Sequence, residues 1–389
     1  MASKVYLIDA RSTFGMEPMP VKFERLIDKS GILDVIEKGD RVAVKIQSGE
    51  YGNVRLIRPV FYERLVRKIK ERDGKPFLTD TGVLYQHGRH DGVDHYVIAH
   101  RNGYNYGMVR APFIVADGVD GRDGVEVEVN GKYIRRVVIG SAIARSDVLI
   151  AIDHFTGHPS GFGGSIKNLG MGAVCRQTKI MCHAGLRPRA DSERCTGCGT
   201  CVRVCPEQAV TLQKGLAVVD LDKCVGCGQC AAECPEDALS GSLGQNQPEF
   251  QARVAESASG VVKYFQGKFG AISFMIDMDP DCDCTPISDL PIAPDIGIVA
   301  STDLVALDKA CVDLVNKAPH YPGSKPYLAS NGGPCDKFIK MREERLKQGG
   351  YDSYFEAAER MGMGTREYEL IRLPNRKPPQ KALKGLTEW

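Results

Sequence analysis

Two matching cysteine runs constrain this chain more than any other feature: Cys195-x2-Cys198-x2-Cys201-x3-Cys205-Pro206 and Cys224-x2-Cys227-x2-Cys230-x3-Cys234-Pro235. Thiolates at i, i+3 and i+6 can turn onto one face of a cubane cluster. The fourth thiolate, set before proline, points toward the neighbouring cluster. The expected ligand sets therefore interleave: Cys195, Cys198, Cys201 and Cys234 for one cluster, and Cys224, Cys227, Cys230 and Cys205 for the other. Gly197, Gly199, Gly226 and Gly228 let the backbone wrap closely, so that N–H groups reach the sulfurs. A pair of structural zinc sites is the competing reading. Zinc sites, however, commonly pair C-x2-C units from separate hairpins, whereas two four-cysteine runs each closed by proline fit two [4Fe–4S] clusters.

The cysteine block cannot account for a chain of 389 residues, which is long enough for two domains or one domain with an insert. Lys plus Arg at 51 against Asp plus Glu at 49 leaves a formal charge of +2, and no long basic run is interleaved with aromatics, so nucleic-acid binding is not expected. No window approaches the roughly 18 apolar residues of a membrane span, and the start, MASKVYLIDA, lacks a basic segment followed by a long apolar stretch. A soluble cytoplasmic protein is expected. Fourteen cysteines then point to metal or redox chemistry, since disulfides rarely persist in that compartment.

Before the cysteine block the pattern alternates between strand and helix: a strand at Val5 to Ile8, a helix at Phe23 to Glu37, a strand at Arg41 to Ile46, a helix at Phe61 to Arg72, and a short buried strand at Pro76 to Asp80. Asn130-Gly131-Lys132 marks a hairpin between Val125 to Val129 and Tyr133 to Ile139, and Val148 to Ile152 is an apolar strand leading into Asp153 and His154. Residues 188–242 read as a ferredoxin-like insert, with a small hairpin turning at Lys214-Gly215. The rhythm resumes with a helix at Phe250 to Phe265, strands at Ile272 to Met278 and Ile296 to Ala300, and a helix at Leu304 to Val315 capped by Thr302-Asp303. Helices at Asp336 to Lys347 and Tyr351 to Met361 follow, and residues 374–389 read as a surface tail. The expected architecture is α/β, with a mixed or mostly parallel sheet over 1–187 and 243–373, interrupted by the insert.

Polar residues gather at predicted strand ends, where open α/β sheets bind ligands. His154-Phe-Thr-Gly-His158 is followed by Gly161-Phe-Gly-Gly164 and Lys167, a glycine-rich turn opening a helix that could hold an anion; an ordinary connection with surface histidines is the plain alternative. Asp80 and Thr81 end another strand, with Tyr85, His87, His90, His95 and His100 close behind; the alternative is a helix cap and a polar face. Asp277, Asp279, Asp281, Cys282, Asp283 and Cys284 form an acidic and thiol cluster that fits metal ligands, redox thiols or a polar turn. Cys175 and Cys182-His183 precede the insert and could lie near the clusters. Cys311 reads as a core residue, and Cys335 gives no signal.

Taken together, Phe77-Leu-Thr-Asp-Thr81, His154-x3-His158 with Gly161-x-Gly-Gly-x-x-Lys-Asn-Leu-Gly-Met-Gly172, the double cysteine run, and Asp279-Pro-Asp-Cys-Asp-Cys284 through Asp295-Ile-Gly-Ile298 resemble the iron–sulfur centre proteins of domain of unknown function family 362. The likeness covers about residues 1–320 and implies the domain plan and the eight cluster cysteines. It implies no reaction. The functional expectation is an iron–sulfur oxidoreductase in which the clusters relay electrons to a site in the α/β body. In that site Lys167 and the glycine turn bind an anionic small molecule, His154 or His158 supplies a proton, Asp80 lies nearby, and Cys282 and Cys284 hold a metal or further cofactor. A ferredoxin or similar protein is the implied electron donor or acceptor. The alternative is a non-catalytic electron carrier whose α/β body docks a redox partner. No G-x-G-x-x-G follows a predicted strand, so a nicotinamide site is not expected.

Overall fold

A strand that is apolar at nearly every position needs cover on both faces of its sheet. In the computed structural model, which describes residues 2–85, 87–183, 188–224, 230, 233–236, 238–240, 247–346 and 349–377, that cover is complete over the strand Val148–His154. In chain order the strands are β1 (Ser3–Asp9), β2 (Arg41–Lys45), β3 (Lys75–Asp80), β4 (Phe113–Val115), β5 (Gly124–Glu128), β6 (Arg136–Gly140), β7 (Val148–His154), β8 (Thr156–His158), β9 (Gly161–Gly163), β10 (Arg189–Ala190), β11 (Val210–Gln213), β12 (Leu216–Val219), β13 (Leu239–Ser240), β14 (Phe269–Met275), β15 (Gly297–Ser301) and β16 (Tyr368–Arg372).

Eight of these strands form one sheet, in the order β16-β1-β15-β14-β7-β2-β3-β4. Every neighbouring pair is parallel except the two made by β15, which runs against both β1 and β14. The body is therefore a mixed α/β fold around a mostly parallel sheet. Alternate residues of the buried strands feed opposite faces. Val148, Ile150 and Ile152 join Phe23, Leu26, Phe61 and Leu65 on one side. Leu149 and Ala151 join Ile166, Val254, Ala258 and Leu307 on the other. The helices Met19–Ser30 and Pro59–Lys70 cover the first face; Ser165–Gly172, Gln247–Tyr264, Leu304–Lys317 and Asp352–Arg360 cover the second.

Several boundaries differ from the sequence expectation for local reasons. The first helix ends at Ser30 rather than Glu37, because Gly31 at φ 69° supplies the left-handed residue that stops it. Only Lys337–Lys340 is α-helical in the stretch expected as Asp336 to Lys347. Gly92–Arg101 forms a helix the pattern did not announce, capped by the Asp91 carboxylate on the N–H groups of Val93 and Asp94. The Asp303 cap is present, its carboxylate accepting from the Ala306 N–H. Residues 374–377 follow β16, and Asn375 donates to Asp9, while 378–389 lie outside the described residues. Among the described residues no helix is long and apolar enough to cross a membrane.

The described residues between 189 and 240 form a small unit of two pairings with a minor core of its own: β10 pairs with β13, β11 and β12 form a hairpin, and Cys201, Val210, Ala217, Cys230 and Leu239 share the core. At the hairpin turn Lys214 and Gly215 both take positive φ, as the Lys-Gly pair suggested.

One long-range contact fixes the helix that carries Lys167. The Asp308 carboxylate accepts from the N–H groups of Ser165 at 2.8 Å and Ile166 at 2.9 Å, filling the N-terminus of Ser165–Gly172. A Cβ on Gly164 would lie 2.6 Å from that carboxylate, so the close approach requires glycine. Replacing Asp308 by alanine strands two buried donors, and urea denaturation is expected to show a loss of about 2–5 kcal/mol, smaller in Asp308→Asn, which keeps an acceptor. An unchanged midpoint in Asp308→Ala would contradict this role.

Candidate functional site

The carboxyl ends of β14, β7, β2 and β3 are adjacent in the sheet, so the loops leaving them meet over one end. They surround a concave pocket. β2 contributes Lys45 and Gln47; β3 contributes Asp80, Tyr85 and Arg89; the chain after β7 contributes His158 and Lys167; the loop after β14 contributes Cys282, Asp283 and Cys284. Residues far apart in sequence thus converge. Lys179, His183 and Phe250 complete the wall on the side where the small unit leaves and rejoins the body.

Charge inside the pocket is unevenly neutralised. Asp80 is buried and pairs with Lys45 Nζ at 3.0 Å; its other oxygen accepts from Ser48 N–H and Oγ–H and faces Arg89 Nη1 at 3.4 Å. Burial favours its neutral form, but Lys45, His95 and Arg89 together hold its carboxyl far below the usual range. Asp80 is therefore an anchored anion rather than a proton donor. Lys179 Nζ donates to Thr81 Oγ1 at 2.8 Å and to Val174 O at 2.7 Å. Arg89 has a different status: it is 4% exposed, and its buried Nη2 has no hydrogen-bond partner although the side chain lines the pocket. Lys167 Nζ lies 3.1 Å from Cys282 Sγ. Burial opposes its charge, yet the Cys282 and Cys284 thiols raise its pKa above the ordinary lysine value.

The thiol pair explains that inversion. Cys284 is pulled down to about 5, first by its hydrogen bond with the Cys282 thiol, with burial opposing and Lys167, Tyr85 and Arg89 assisting. Cys282 moves the other way, because the shared hydrogen bond and burial keep it protonated. Together the two sulfurs hold one proton and one negative charge.

Other candidates take different places. His154 does not line the pocket: its Nδ1 meets Asp283 Oδ1 at 2.9 Å and its Nε2 meets the Ile276 carbonyl at 2.8 Å. Both ring nitrogens face acceptors, so the imidazolium is favoured, and against burial the Asp283 carboxylate raises the pKa. His154 thus holds Asp283, which lines the pocket, through a buried ion pair. His158 does line the pocket; its Nδ1 accepts from the Ser160 N–H, which places the ring proton on Nε2, and burial with Lys167 pushes its pKa well down. The glycine turn is not an anion site, since Asp308 already occupies the helix N-terminus.

The acidic cluster also disperses. Asp277 pairs with Arg55 and Arg58, Asp279 accepts from backbone N–H groups of Asp281 and Asp289, Asp281 pairs with Lys325 and Arg342, and Asp283 pairs with His154. Of the cluster, Cys282 and Cys284 remain, and the Lys167 ammonium lies 3.1 Å from Cys282 Sγ. Among the described residues no group of three or more His, Cys, Asp or Glu side chains is placed to hold a metal ion, those of the cysteine runs included. Cys175 and Cys182 are buried thiols pushed up to about 12, mainly by burial, and line neither cavity. Cys311 lies in the core. Cys335 Sγ is 4.0 Å from His320 Nε2. His87, His90, His95 and His100 do not line the pocket; His87 instead meets Glu233 of the small unit at 3.0 Å.

In the small unit, Cys195, Cys198, Cys201 and Cys234 line a small cavity together with Gly197 and Gly199, both at positive φ. Backbone N–H groups approach the sulfurs: Ala217 to Cys195 at 3.5 Å, Ala238 to Cys234 at 3.3 Å and Ala209 to Cys205 at 3.2 Å. Cys224 and Cys230 are also in this unit, and Cys227 lies outside the described residues. The cations Lys45, Arg89 and Lys179 were missed by the sequence reading; a lysine inside the apolar run Arg41 to Ile46 was the available signal.

Fold and pocket together define a mixed α/β protein with a cation-rich cleft at the carboxyl ends of parallel strands. The chain belongs to the family described as Domain of unknown function (DUF362), whose profile matches residues 42–313 and so spans every pocket residue and both cysteine runs. No curated protein gives a significant match. Among solved structures the chain is similar to the lactate racemase apoprotein from Thermoanaerobacterium thermosaccharolyticum, with 11% identity, a TM-score of 0.34, and coverage of 70% of this chain and 51% of that one. The chain thus spans about half the length of that protein.

Alkylation of the peptide containing residues 282–284, followed against pH by mass spectrometry, is expected to show a Cys284 midpoint near about 5, far below the about 8.5 of an ordinary thiol. Because the pKa is depressed, reactivity persists above that midpoint and is lost as pH falls through it. Lys167→Met should move the midpoint upward. An ordinary midpoint in the unaltered protein would contradict the geometry.

Proposed function

We propose that the protein is an iron–sulfur oxidoreductase, in which two [4Fe–4S] clusters held by the cysteine runs exchange electrons with an anionic small molecule in the pocket. The observation that carries this reading is the rooting of the small unit: its flanks, His183 and Phe250, are themselves pocket walls. A module attached there can deliver electrons where the candidate residues converge. Four thiols around a cavity, with backbone N–H groups on the sulfurs, suit the cubane assigned to Cys195, Cys198, Cys201 and Cys234, and the second set would be Cys224, Cys227, Cys230 and Cys205. When bound, the clusters would supply or accept single electrons.

The chain's own residues account for the rest. Arg89 Nη2 and Lys167 offer positive charge to a substrate carboxylate or phosphate. The His158 Nε2–H can orient a substrate oxygen, and the proton held by the Cys282 and Cys284 pair is available within the pocket. A ferredoxin or comparable protein would be the external electron partner. Buried cations and a stabilised thiolate favour this reading over a carrier without catalysis, because docking needs neither.

The test is a single-turnover reaction. Anaerobic protein, reduced and freed of excess reductant, should be reoxidised by some members of a panel of carboxylate- and phosphate-bearing acceptors. Lys167→Met should slow this by about 10²-fold with its iron content unchanged. Equal rates in both proteins, with reoxidation only by a partner protein, would favour the carrier; protein without iron would refute the reading.

A further inference from the structure

Clusters of this type move electrons singly, whereas most closed-shell substrates exchange them in pairs, and the pocket contains a group able to convert between the two. Cys282 and Cys284 are the first and third residues of a turn closed by the Thr285 N–H on the Cys282 carbonyl at 3.0 Å and reinforced by Thr285 Oγ1 at 2.9 Å. A four-residue turn keeps its ends within about 7 Å, which brings its first and third Cα atoms into the roughly 4.4–6.8 Å that a disulfide spans. The Cys284 N–H also points at Cys282 Sγ, 3.3 Å away. Both side chains line the pocket, with Lys167 on one of them and Arg89 in the same wall.

We propose that Cys282 and Cys284 form a reversible two-electron dithiol–disulfide couple between the clusters and the substrate. The relay part of this proposal rests on the iron–sulfur reading above; the couple itself does not. On oxidation the two sulfurs form one S–S bond and the single S–H bond breaks, releasing its proton. Two electrons leave, passing to the bound substrate. The return step balances as the uptake of two electrons and one proton by the disulfide, restoring a thiol and a thiolate; the clusters, if held by the cysteine runs, would supply those electrons singly. Depression of the Cys284 pKa keeps one sulfur ready as the thiolate from which such chemistry starts.

Reductive titration tests both parts. Holoprotein oxidised anaerobically with diamide and freed of it is titrated with dithionite, and parallel samples are quenched with N-ethylmaleimide for peptide mapping. The unaltered protein should take up about two electrons more per chain than Cys282→Ser, and the 282–284 peptide should be unlabelled when oxidised and doubly labelled when reduced. Equal uptake, with both thiols labelled after oxidation, would overturn the proposal. Labelling of the unaltered protein decides the point even where the serine variant fails to fold. A disulfide that forms but persists beside reduced clusters would overturn the relay. A disulfide that forms in protein lacking iron would support the couple and overturn the iron–sulfur reading instead.

Discussion

The buried ion pair between Lys45 and Asp80 ties the site together. It joins the carboxyl ends of two neighbouring strands, and each partner reaches further: Asp80 to Ser48 and Arg89, Lys45 to Asn168 on the helix that carries Lys167. Asn168 in turn donates to the Ile152 carbonyl on β7. Such a pair adds little net stability, because desolvating both charges offsets most of their attraction. Its contribution is positional. Loss of either partner would leave a buried charge alone and release three loops at once.

Around this pair the pocket keeps a deliberate imbalance. Asp80 neutralises Lys45 and part of Arg89, and His154 neutralises Asp283. Arg89 Nη2 is left without a hydrogen bond, and Lys167 faces sulfur. Buried positive charge is costly unless something negative completes it. In the protein alone the nearest negative charge to Lys167 is the one shared by the Cys282 and Cys284 pair; in a complex an anionic substrate would join it. The same electrostatics would serve binding of the proposed anion and the reactivity of Cys284.

How much of this could be read from the sequence follows from which forces are local. Strands such as Arg41–Lys45 and Val148–His154 were legible because their centres, Val42 to Val44 and Val148 to Ile152, are apolar runs buried on both faces. The half-exposed edge strand Tyr368–Arg372 was not, and nothing local announces that β15 runs antiparallel. Asp80, His158, Lys167, Cys282 and Cys284 were singled out because they follow predicted strand ends, and all five line the pocket. Their roles depend on distant partners: Asp308 lies 143 residues from the Ser165 it caps, and Asp283 lies 129 from His154. Hence the glycine turn read as an anion site and His154 read as a proton donor, whereas each is occupied by a carboxylate that the sequence does not place beside it.

The central claim is that the two cysteine runs hold iron–sulfur clusters serving the pocket from which their module emerges. Anomalous diffraction from anaerobically grown crystals, recorded at the iron and zinc absorption edges, tests it most directly. The account predicts iron density inside the cavity ringed by Cys195, Cys198, Cys201 and Cys234, and a second iron centre at Cys224 and Cys230. Zinc at those thiols, or no metal there in anaerobically isolated protein, would contradict it.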